Sequence, residues 1–469
     1  MGGSVAEPRN FVTSIPVRVL LVSTYELGHQ PLHLASPAAR LIRDGHDVEC
    51  LDLAVEDWDE SRFERAGAVA FSVPMHTAMR LAVQAASRLR ADRSDLPVAF
   101  YGLYAGIGVD RTVGRLADRL IVGEYEDELA AWVAGLDRGE RDNGTVRVDL
   151  GRKSFSPPAR HLLPGLESYA RLEIAGEARL AGYVEASHGC RHRCRHCPIP
   201  AIYDGRYRVT GLDNVIADIT ALVGLGARHI TFGDPDFLNA PRYALDVLRE
   251  AHGAFPALTF DLTVKVEHIL DHRDLWLEVA QLNVVFVVSA FETTNNHVLE
   301  VLDKGHNAND MAKATGVLRH AGIQVRPSWM PFTPLTDPGD AGDIFDFLVD
   351  MDLLAAVDPV QLSIRLLIPD GSLILASAMA PYIEDYDADA LTYRWRARDP
   401  IVDDLQQELA AIAEKGGEDQ RTTILEMWAR VRPGRPAPAW SEIQPARLTE
   451  SWFCCAEPTS SQLLRVSPK

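Results

Sequence analysis

The sequence has few cysteines, no long apolar run and a shortage of positive charge. Six of its 469 residues are cysteine, and 47 Lys and Arg stand against 66 Asp and Glu, for a net charge of −19. An acidic surface repels phosphate backbones, so we expect no nucleic-acid partner. The most apolar stretch, 275–290, is broken by polar residues, and no basic segment precedes an apolar one near the start. We therefore expect no membrane span, no secretory signal and a cytoplasmic enzyme.

The first 135 residues alternate apolar runs of strand length with helical segments. The predicted strands lie at 17–24, 47–53, 68–73, 98–102 and 120–122. Apolar strands that alternate with helices indicate a parallel sheet covered on both faces. The pattern predicts an α/β fold with a flavodoxin-like, doubly wound domain over 1–135, whose ligands would bind at the carboxyl ends of the strands. No G-x-G-x-x-G motif follows the first strand, which argues against a dinucleotide site.

A second series of strands and helices begins after a segment rich in Gly, Pro, Arg and Asp. That segment, 136–180, is expected to be a linker. Six predicted βα units follow within 181–377, with strands at 182–187, 229–232, 258–264, 284–290, 323–329 and 360–366. Such a series predicts a partial (β/α)6 barrel with its active site at the carboxyl ends of the strands. Residues 378–469 are expected to form a helical C-terminal extension.

Three of the six cysteines crowd onto one loop after the first predicted barrel strand. Cys190, Cys194 and Cys197 have the spacing C-x3-C-x2-C. Thiolates are the ligands that iron–sulfur clusters and zinc prefer. The residues are compatible with two kinds of metal centre. One is a cluster with an iron that lacks a protein ligand, and the other is a structural zinc site completed by a histidine of the same loop.

This loop, in its βα context over about residues 180–375, resembles that of the radical S-adenosylmethionine (SAM) superfamily. The resemblance implies that Cys190, Cys194 and Cys197 hold a [4Fe-4S] cluster whose open iron binds the amino and carboxylate groups of SAM. It also implies a reducing electron donor such as flavodoxin or ferredoxin, because an electron is needed to cleave the SAM sulfonium.

Two further segments are similar to SAM-binding motifs of that superfamily. Residues 232–235 (Phe-Gly-Asp-Pro) stand where the family usually has Gly-Gly-Glu-Pro, which implies that Gly233 and Asp234 lie at the SAM amino group. Ser289 and Glu292 belong to a segment that resembles the one touching the SAM ribose. A solvated loop carboxylate is the alternative for Glu292. No glycine motif is recognisable on the fifth strand, so the adenine contacts are not assigned.

A flavodoxin-like domain ahead of such a barrel resembles the cobalamin-binding subclass of the superfamily. Residues 45–48 (Gly-His-Asp-Val) and 123–126 (Gly-Glu-Tyr-Glu) match segments of that domain. The D-x-H-x-x-G motif that supplies a cobalt-ligating histidine is absent, and 101–104 (Tyr-Gly-Leu-Tyr) replace a common Gly-Gly. His29 lies in the loop after the first predicted strand and is a candidate cobalt ligand, with a surface histidine as the alternative. The resemblance implies the fold and leaves open whether cobalamin is bound.

Near its end the chain carries two adjacent cysteines, Cys454 and Cys455, in the segment Trp-Phe-Cys-Cys-Ala-Glu-Pro. Adjacent thiols can chelate a thiophilic centre or act as a redox or nucleophilic pair, and burial as small apolar side chains is the alternative. The segment resembles the radical SAM proteins named for a CCAEP tail, or CUAEP where selenocysteine replaces the first cysteine. That family is similar to radical SAM enzymes of organoarsenical pathways.

Residues and resemblance together predict a transferase-type radical SAM enzyme. It would cleave SAM and transfer a radical or alkyl group to a small molecule, such as an arsenic-containing thiophile, held near Cys454 and Cys455. One alternative is a cobalamin-dependent radical SAM methyltransferase of secondary metabolism. An alternative of another class is a zinc-stabilised binding or redox-sensing protein.

Overall fold

Two large sheets, the first parallel and the second mixed, follow one another along the chain. The computed structural model describes residues 17–109, 115–141, 144–151, 155–416, 419–441, 444–450 and 457–467. Its strands are β1 Arg18–Ser23, β2 Asp47–Asp52, β3 Ala68–Ser72, β4 Val98–Tyr101, β5 Arg119–Gly123, β6 Thr145–Asp149, β7 Arg171–Ile174, β8 Glu177–Val184, β9 Ser187–Gly189, β10 Tyr207–Val209, β11 His229–Phe232, β12 Thr259–Thr263, β13 Val284–Glu292, β14 Gln324–Trp329, β15 Ile383–Asp387, β16 Thr392–Trp395 and β17 Arg447–Leu448. Its helices are α1 Leu32–Arg43, α2 Glu60–Arg65, α3 His76–Asp92, α4 Glu126–Asp137, α5 Pro198–Tyr203, α6 Leu212–Gly224, α7 Pro241–Ala254, α8 Val266–Asp271, α9 Trp276–Gln281, α10 Asn296–Val301, α11 Ala308–His320, α12 Asp340–Asp350, α13 Pro400–Gly416, α14 Gln420–Val431 and α15 Ser460–Val466.

The first sheet is parallel and has the strand order β2-β1-β3-β4-β5-β6. Its central strand β1 is apolar at almost every position because both faces are covered. Leu20 and Val22 belong to one core cluster, whereas Val19 and Leu21 belong to another on the opposite face. The first five strands have the order 2-1-3-4-5, which is that of doubly wound sheets. The chain connections on the two sides of the gap between β1 and β3 run in opposite directions along the sheet.

Residues 136–180, which composition suggested to be a linker, contribute a strand to each sheet. β6 pairs with β5 in parallel, and β7 pairs with β8 in antiparallel fashion. β6 is an edge strand, and its Val146 and Val148 are exposed. Its sequence, Thr-Val-Arg-Val-Asp, lacks the buried apolar run that marks the other strands of this sheet, so composition concealed it.

The second sheet has the order β14-β13-β12-β11-β8-β7-β17. Its strands β8, β11, β12, β13 and β14 are parallel and form a curled half-barrel. The predicted sixth strand at 360–366 is wrong as a strand: Pro359–Ser363 form a 3-10 turn, and one isolated bridge joins Phe332 to Arg365. Pro359 lacks a backbone N–H and fixes φ in the helical range, which favours the turn.

The C-terminal region is less helical than predicted. α13 and α14 are preceded by the hairpin β15–β16, whose strands are antiparallel. The last described elements return to the two sheets, since β17 pairs with β7 and α15 packs against α3. No helix among the described residues is both long and apolar enough to cross a bilayer.

Candidate functional site

The three-cysteine loop begins at the end of the short strand β9, which pairs with β10. Gly189 precedes the first cysteine with φ +76, and a Cβ there would lie 2.4 Å from the carbonyl oxygen of Arg206. Only glycine allows this close approach. Cys190 and Cys194 are buried and Cys197 is half-buried. The loop therefore presents its thiols inward.

Polar contacts fix this loop to its neighbours on both sides. The Asn239 side-chain oxygen accepts a hydrogen bond from the Arg191 backbone N–H at 3.1 Å and lies 3.9 Å from Cys190 Sγ. On the other side, the backbone N–H of Arg195 donates to the carbonyl of Leu302 at 2.9 Å. The loop conformation is thus set by the segments that follow β11 and α10.

A buried carboxylate holds a third point of the same loop. Asp236 accepts a hydrogen bond from His192 Nε2 at 3.1 Å and lies 2.7 Å from His268 Nδ1. Burial alone would raise the pKa of Asp236, but the two histidines hold it at about 2. The charged carboxylate therefore fastens the middle of the loop to α8.

The three thiols are not gathered as closely as the ligands of a single zinc ion would be. Among the described residues, only His192, Asp236 and His268 form a group of three whose ligand atoms all lie within 4.8 Å of one another. The three cysteine sulfurs are therefore not gathered that closely. A tetrahedral zinc site with Zn–S bonds of about 2.3 Å would hold its sulfurs roughly 3.8 Å apart. The described loop therefore does not gather the three thiols around a single zinc ion.

Glu292 lies next to this loop at a bulge of β13. It is buried with φ +67, which is strained for a residue with a side chain, and so it is not a solvated loop carboxylate. Its Oε1 is 3.0 Å from Lys304 Nζ and 3.1 Å from His196 Nε2. Burial would raise the pKa of Glu292, but Lys304 and His196 hold it well below its usual value. Burial would lower the pKa of Lys304, but Glu292 and, to a smaller extent, Cys194 raise it.

Gly233 and Asp234 follow β11 at the same end of the half-barrel. Asp234 accepts hydrogen bonds from the Ala186 backbone N–H at 2.9 Å and the Ser187 hydroxyl at 2.5 Å. Burial raises its pKa to about 7. A Cβ on Gly233 would lie 1.9 Å from the Tyr183 hydroxyl oxygen, so the glycine makes room for that ring.

The structure leaves two predicted features without geometric support. Ser289 is fully buried, and its hydroxyl has no hydrogen-bond partner within the described part of the chain. Cys454 and Cys455 fall in 451–456, outside the described residues. Their roles stay predictions.

Sequence reasoning missed a buried network that joins the first sheet to the cysteine loop. His188 Nδ1 is 2.9 Å from Glu124, which follows β5, and His188 Nε2 is 3.3 Å from Glu185. Burial opposes the charge, but Glu124 and Glu185 raise the pKa of His188 to about 10. Tyr203 also donates to Glu124 at 3.1 Å. The Gly-Glu-Tyr-Glu segment was the one visible signal of this network.

A cavity of about 380 Å³ lies at the carboxyl ends of β1 and β2. Its wall is formed by the loops after those strands and by residues near the C-terminus, among them Tyr25, His29, Glu450 and Arg465. Tyr25 donates a hydrogen bond to Glu450 at 2.9 Å. The cavity has the volume of an ordinary small-molecule pocket.

Residues 184–348 match the family model of the radical SAM superfamily. The chain therefore contains a radical SAM domain, and the prediction of that domain is confirmed. The domain implies a [4Fe-4S] cluster and SAM, in agreement with the thiol spacing. The alternative of a zinc-stabilised, non-enzymatic protein is set aside.

Two solved structures resemble the fold. The cobalamin-dependent SAM radical enzyme OxsB, with aqua-cobalamin bound, has a TM-score of 0.65 at 12% identity over 84% of this chain and 66% of that chain. The radical SAM methyltransferase TsrM from Kitasatospora setae has a TM-score of 0.53 at 16% identity over 72% of this chain and 71% of that chain. At these identities the likeness concerns the fold alone.

Two curated relatives match parts of the sequence. The hopanoid C-2 methylase of Rhodopseudomonas palustris is 26% identical over 229 residues, which are 46% of this chain and 41% of that protein. A tRNA-2-methylthio-N(6)-dimethylallyladenosine synthase of Chlorobaculum tepidum is 29% identical over 104 residues, 22% of this chain and 20% of that protein. The chain thus spans about two fifths or less of these relatives.

Proposed function

We propose that the protein is a cytoplasmic, transferase-type radical SAM enzyme that acts on a small molecule and receives its electrons from a flavodoxin or ferredoxin. The observation that carries this proposal is the placement of the three-cysteine loop beside Asp234 and Glu292. All three features sit at the carboxyl ends of the half-barrel strands, where barrel enzymes hold their reacting groups.

Each of these residues has a distinct task in the proposal. Cys190, Cys194 and Cys197 would ligate the [4Fe-4S] cluster, which when bound supplies the electron that cleaves SAM. Asp234 would hold the SAM ammonium group, because its carboxylate is fixed by two hydrogen bonds and lies in a buried site where a cation is strongly attracted. Glu292, held by Lys304, would face the SAM ribose. The buried position excludes water from the reaction.

We further propose that the acceptor is a thiophilic small molecule, such as trivalent arsenic, held near Cys454 and Cys455. The support comes from the described residues on either side of the pair. Glu450 lines the 380 Å³ cavity, and Glu457 forms an ion pair with Arg80 of α3.

Anaerobic purification tests the cluster. The wild type is expected to be brown, with a broad band near 400 nm and about four irons per chain. Cys194→Ala should lose the band and most of the iron, whereas Cys50→Ala, which removes a buried thiol of the first sheet, should keep both. A colourless wild type with one zinc per chain would overturn the proposal.

A double variant tests the acceptor site. Cys454→Ala with Cys455→Ala is expected to retain iron and SAM cleavage while no longer forming an alkylated product from arsenite. Cys50→Ala again serves as the thiol control and should still form that product. Product formation at the wild-type rate in the double variant would dismiss the role of the pair without touching the radical SAM assignment.

A cobalamin-dependent radical SAM methyltransferase is the second candidate. The strand order 2-1-3-4-5 of the first sheet and the overall likeness to OxsB favour it. It requires space for a corrinoid at the carboxyl edge of that sheet, since doubly wound sheets bind their ligands there.

A further inference from the structure

We infer that the carboxyl edge of the first sheet is closed by the chain's own C-terminal segments and that the enzyme works without cobalamin. The inference goes beyond the proposed function, because it concerns the first domain and not the cluster. Ligands of doubly wound sheets bind where the connections diverge, which in this order is between β1 and β3. The loops after these two strands therefore determine whether a large ligand can bind at this edge.

The loop after β1 is covered by the segment that follows β17. Tyr25 donates to Glu450 at 2.9 Å, and a Cβ on Gly28 would lie 2.6 Å from the Glu450 side chain. The segment before β7 also contacts this loop, since the backbone N–H of Ala170 donates to the Gly28 carbonyl at 2.8 Å. The Glu450 side chain therefore packs directly on this loop, beside the 380 Å³ cavity.

The loop after β3 is covered by the turn of the hairpin β15–β16. His76 is fully buried, and its Nε2 donates to the carbonyl of Ala390 at 2.9 Å. Burial lowers the pKa of His76 to about 4, so the imidazole is neutral at neutral pH and its single N–H is directed at that carbonyl. A polar group that is buried and paired in this way indicates a permanent contact.

Leu391, the next residue of the turn, packs against the loop after β4. Leu391 is 1% exposed and belongs to the same core cluster as Met75 and Tyr104 of the first domain. Its φ of +55 is strained for a leucine, so packing must hold it there. A Cβ on Gly108 would meet the Leu391 side chain at 3.1 Å.

The helix α15 covers the end of β2. Val466 is 2% exposed and packs in the same cluster as Leu53, and Arg465 donates to the Ala54 carbonyl at 2.8 Å. At the far side, Glu124 after β5 is held by Tyr203 and His188. Contacts thus close the edge from β2 to β5.

The cavity that remains at this edge measures about 380 Å³. Pockets of about 300–1,000 Å³ enclose drug-sized ligands, so this cavity is at the small end of that range, whereas a corrin ring with its nucleotide tail is larger than a drug-sized ligand. The closure also agrees with the sequence, in which Tyr101–Tyr104 replace the Gly-Gly of many relatives and the cobalt-ligating histidine motif is absent. The first domain keeps the doubly wound fold while its crevice holds the chain's own side chains.

The test uses the full chain with its cluster reconstituted under anaerobic conditions. The protein is equilibrated with excess hydroxocobalamin and desalted, and its cobalt and iron are measured together. We expect full iron, SAM cleavage that does not depend on added cobalamin, and cobalt far below one per chain. One cobalt per chain would overturn the inference and favour the second candidate. Absence of SAM cleavage both with and without added cobalamin would contradict the proposed function and leave the inference untouched.

A variant of the turn tests the closure itself. Leu391→Asp places a charge in the cluster and should speed amide hydrogen exchange in 73–78 and 100–108 by at least about tenfold, with iron retained. Leu277→Asp, at an exposed leucine of α9, is the matched control and should leave those amides unchanged. Leu391→Ala gives the same test if the aspartate variant does not accumulate. Unchanged exchange in both Leu391 variants would overturn the closure.

Discussion

His29 of the first domain stacks on Tyr183 of the half-barrel, with ring centroids 4.8 Å apart and an angle of 28° between the planes. His29 is 3% exposed, and burial lowers its pKa to about 4, so the ring is neutral. Tyr183 also donates to Glu185 at 2.8 Å. The loop after β1 therefore closes the side of the half-barrel and sets the position of a ring that touches Gly233.

Gly233→Ala is expected to disturb this contact. The new Cβ would overlap the Tyr183 ring, which must leave both His29 and Glu185, at a cost of about 1–3 kcal/mol. Gly316→Ala is the control, because this exposed glycine of α11 has open space around it and alanine should stabilise the helix by about 0.5–1 kcal/mol. Urea unfolding followed by circular dichroism measures both. Equal midpoints for the two variants would contradict the close packing at Gly233.

Arg160→Met is expected to weaken the joint between the two domains. Arg160 forms two hydrogen bonds with Asp218, at 2.9 and 2.8 Å, and a third with the Tyr183 carbonyl at 2.6 Å. Both charged residues are buried, so Asp218 would be left unpaired, at a cost of about 3–5 kcal/mol.

The solvent-exposed Arg138, which pairs with Glu140, provides the comparison for that variant. Arg138→Met should leave the thermal unfolding midpoint where it is, since exposed pairs contribute little. A midpoint for Arg160→Met that equals that of Arg138→Met would show that the buried pair is not a structural joint.

The stability contributed by His76 is expected to depend on pH. Its pKa is about 4 in the folded chain and about 6.5 when unfolded, so between these values the unfolded state binds more protons. The contribution is complete above pH 6.5 and is lost as the pH falls towards 4, by roughly 3 kcal/mol in total. His76→Gln does not titrate. The difference in unfolding free energy between wild type and His76→Gln should shrink over this range, and a difference that is constant with pH would refute the buried neutral imidazole.

Asp234→Asn is expected to weaken SAM binding about tenfold at constant iron content. Asparagine removes the negative charge, while its Oδ1 can still accept from the Ala186 N–H and its Nδ2 can donate to the Ser187 hydroxyl oxygen. Because burial raises the pKa of Asp234 to about 7, the wild-type affinity should also fall between pH 7 and 6, and that of the variant should not. Equilibrium dialysis with SAM measures both effects. Asp350→Asn, at an exposed carboxylate, is the control, and equal affinities for the two variants would argue against the assignment.

The parts of the molecule that the sequence predicts are those determined by near neighbours. The apolar run of β1 and the C-x3-C-x2-C spacing each lie within eight residues, and both are found as expected, the run as a strand and the cysteines on one loop. Contacts between distant segments were not predictable. Arg160 and Asp218 are 58 residues apart and His188 and Glu124 are 64 apart, and nothing local marks either pair. The segment at 360–366 misled because it begins in a 3-10 turn, although Leu362, Ile364 and Leu366 are buried as they would be in a strand.

The contact between His76 and Ala390 joins residues that are 314 positions apart. This separation sets how long after synthesis of His76 the contact can first form. At about 5–20 residues per second, the first domain waits roughly 15–60 s for its cover to be synthesised. During that interval the core cluster that contains Met75 and Tyr104 lacks the Leu391 side chain. The nascent first domain is therefore a target for chaperones that bind apolar surface until translation supplies the hairpin.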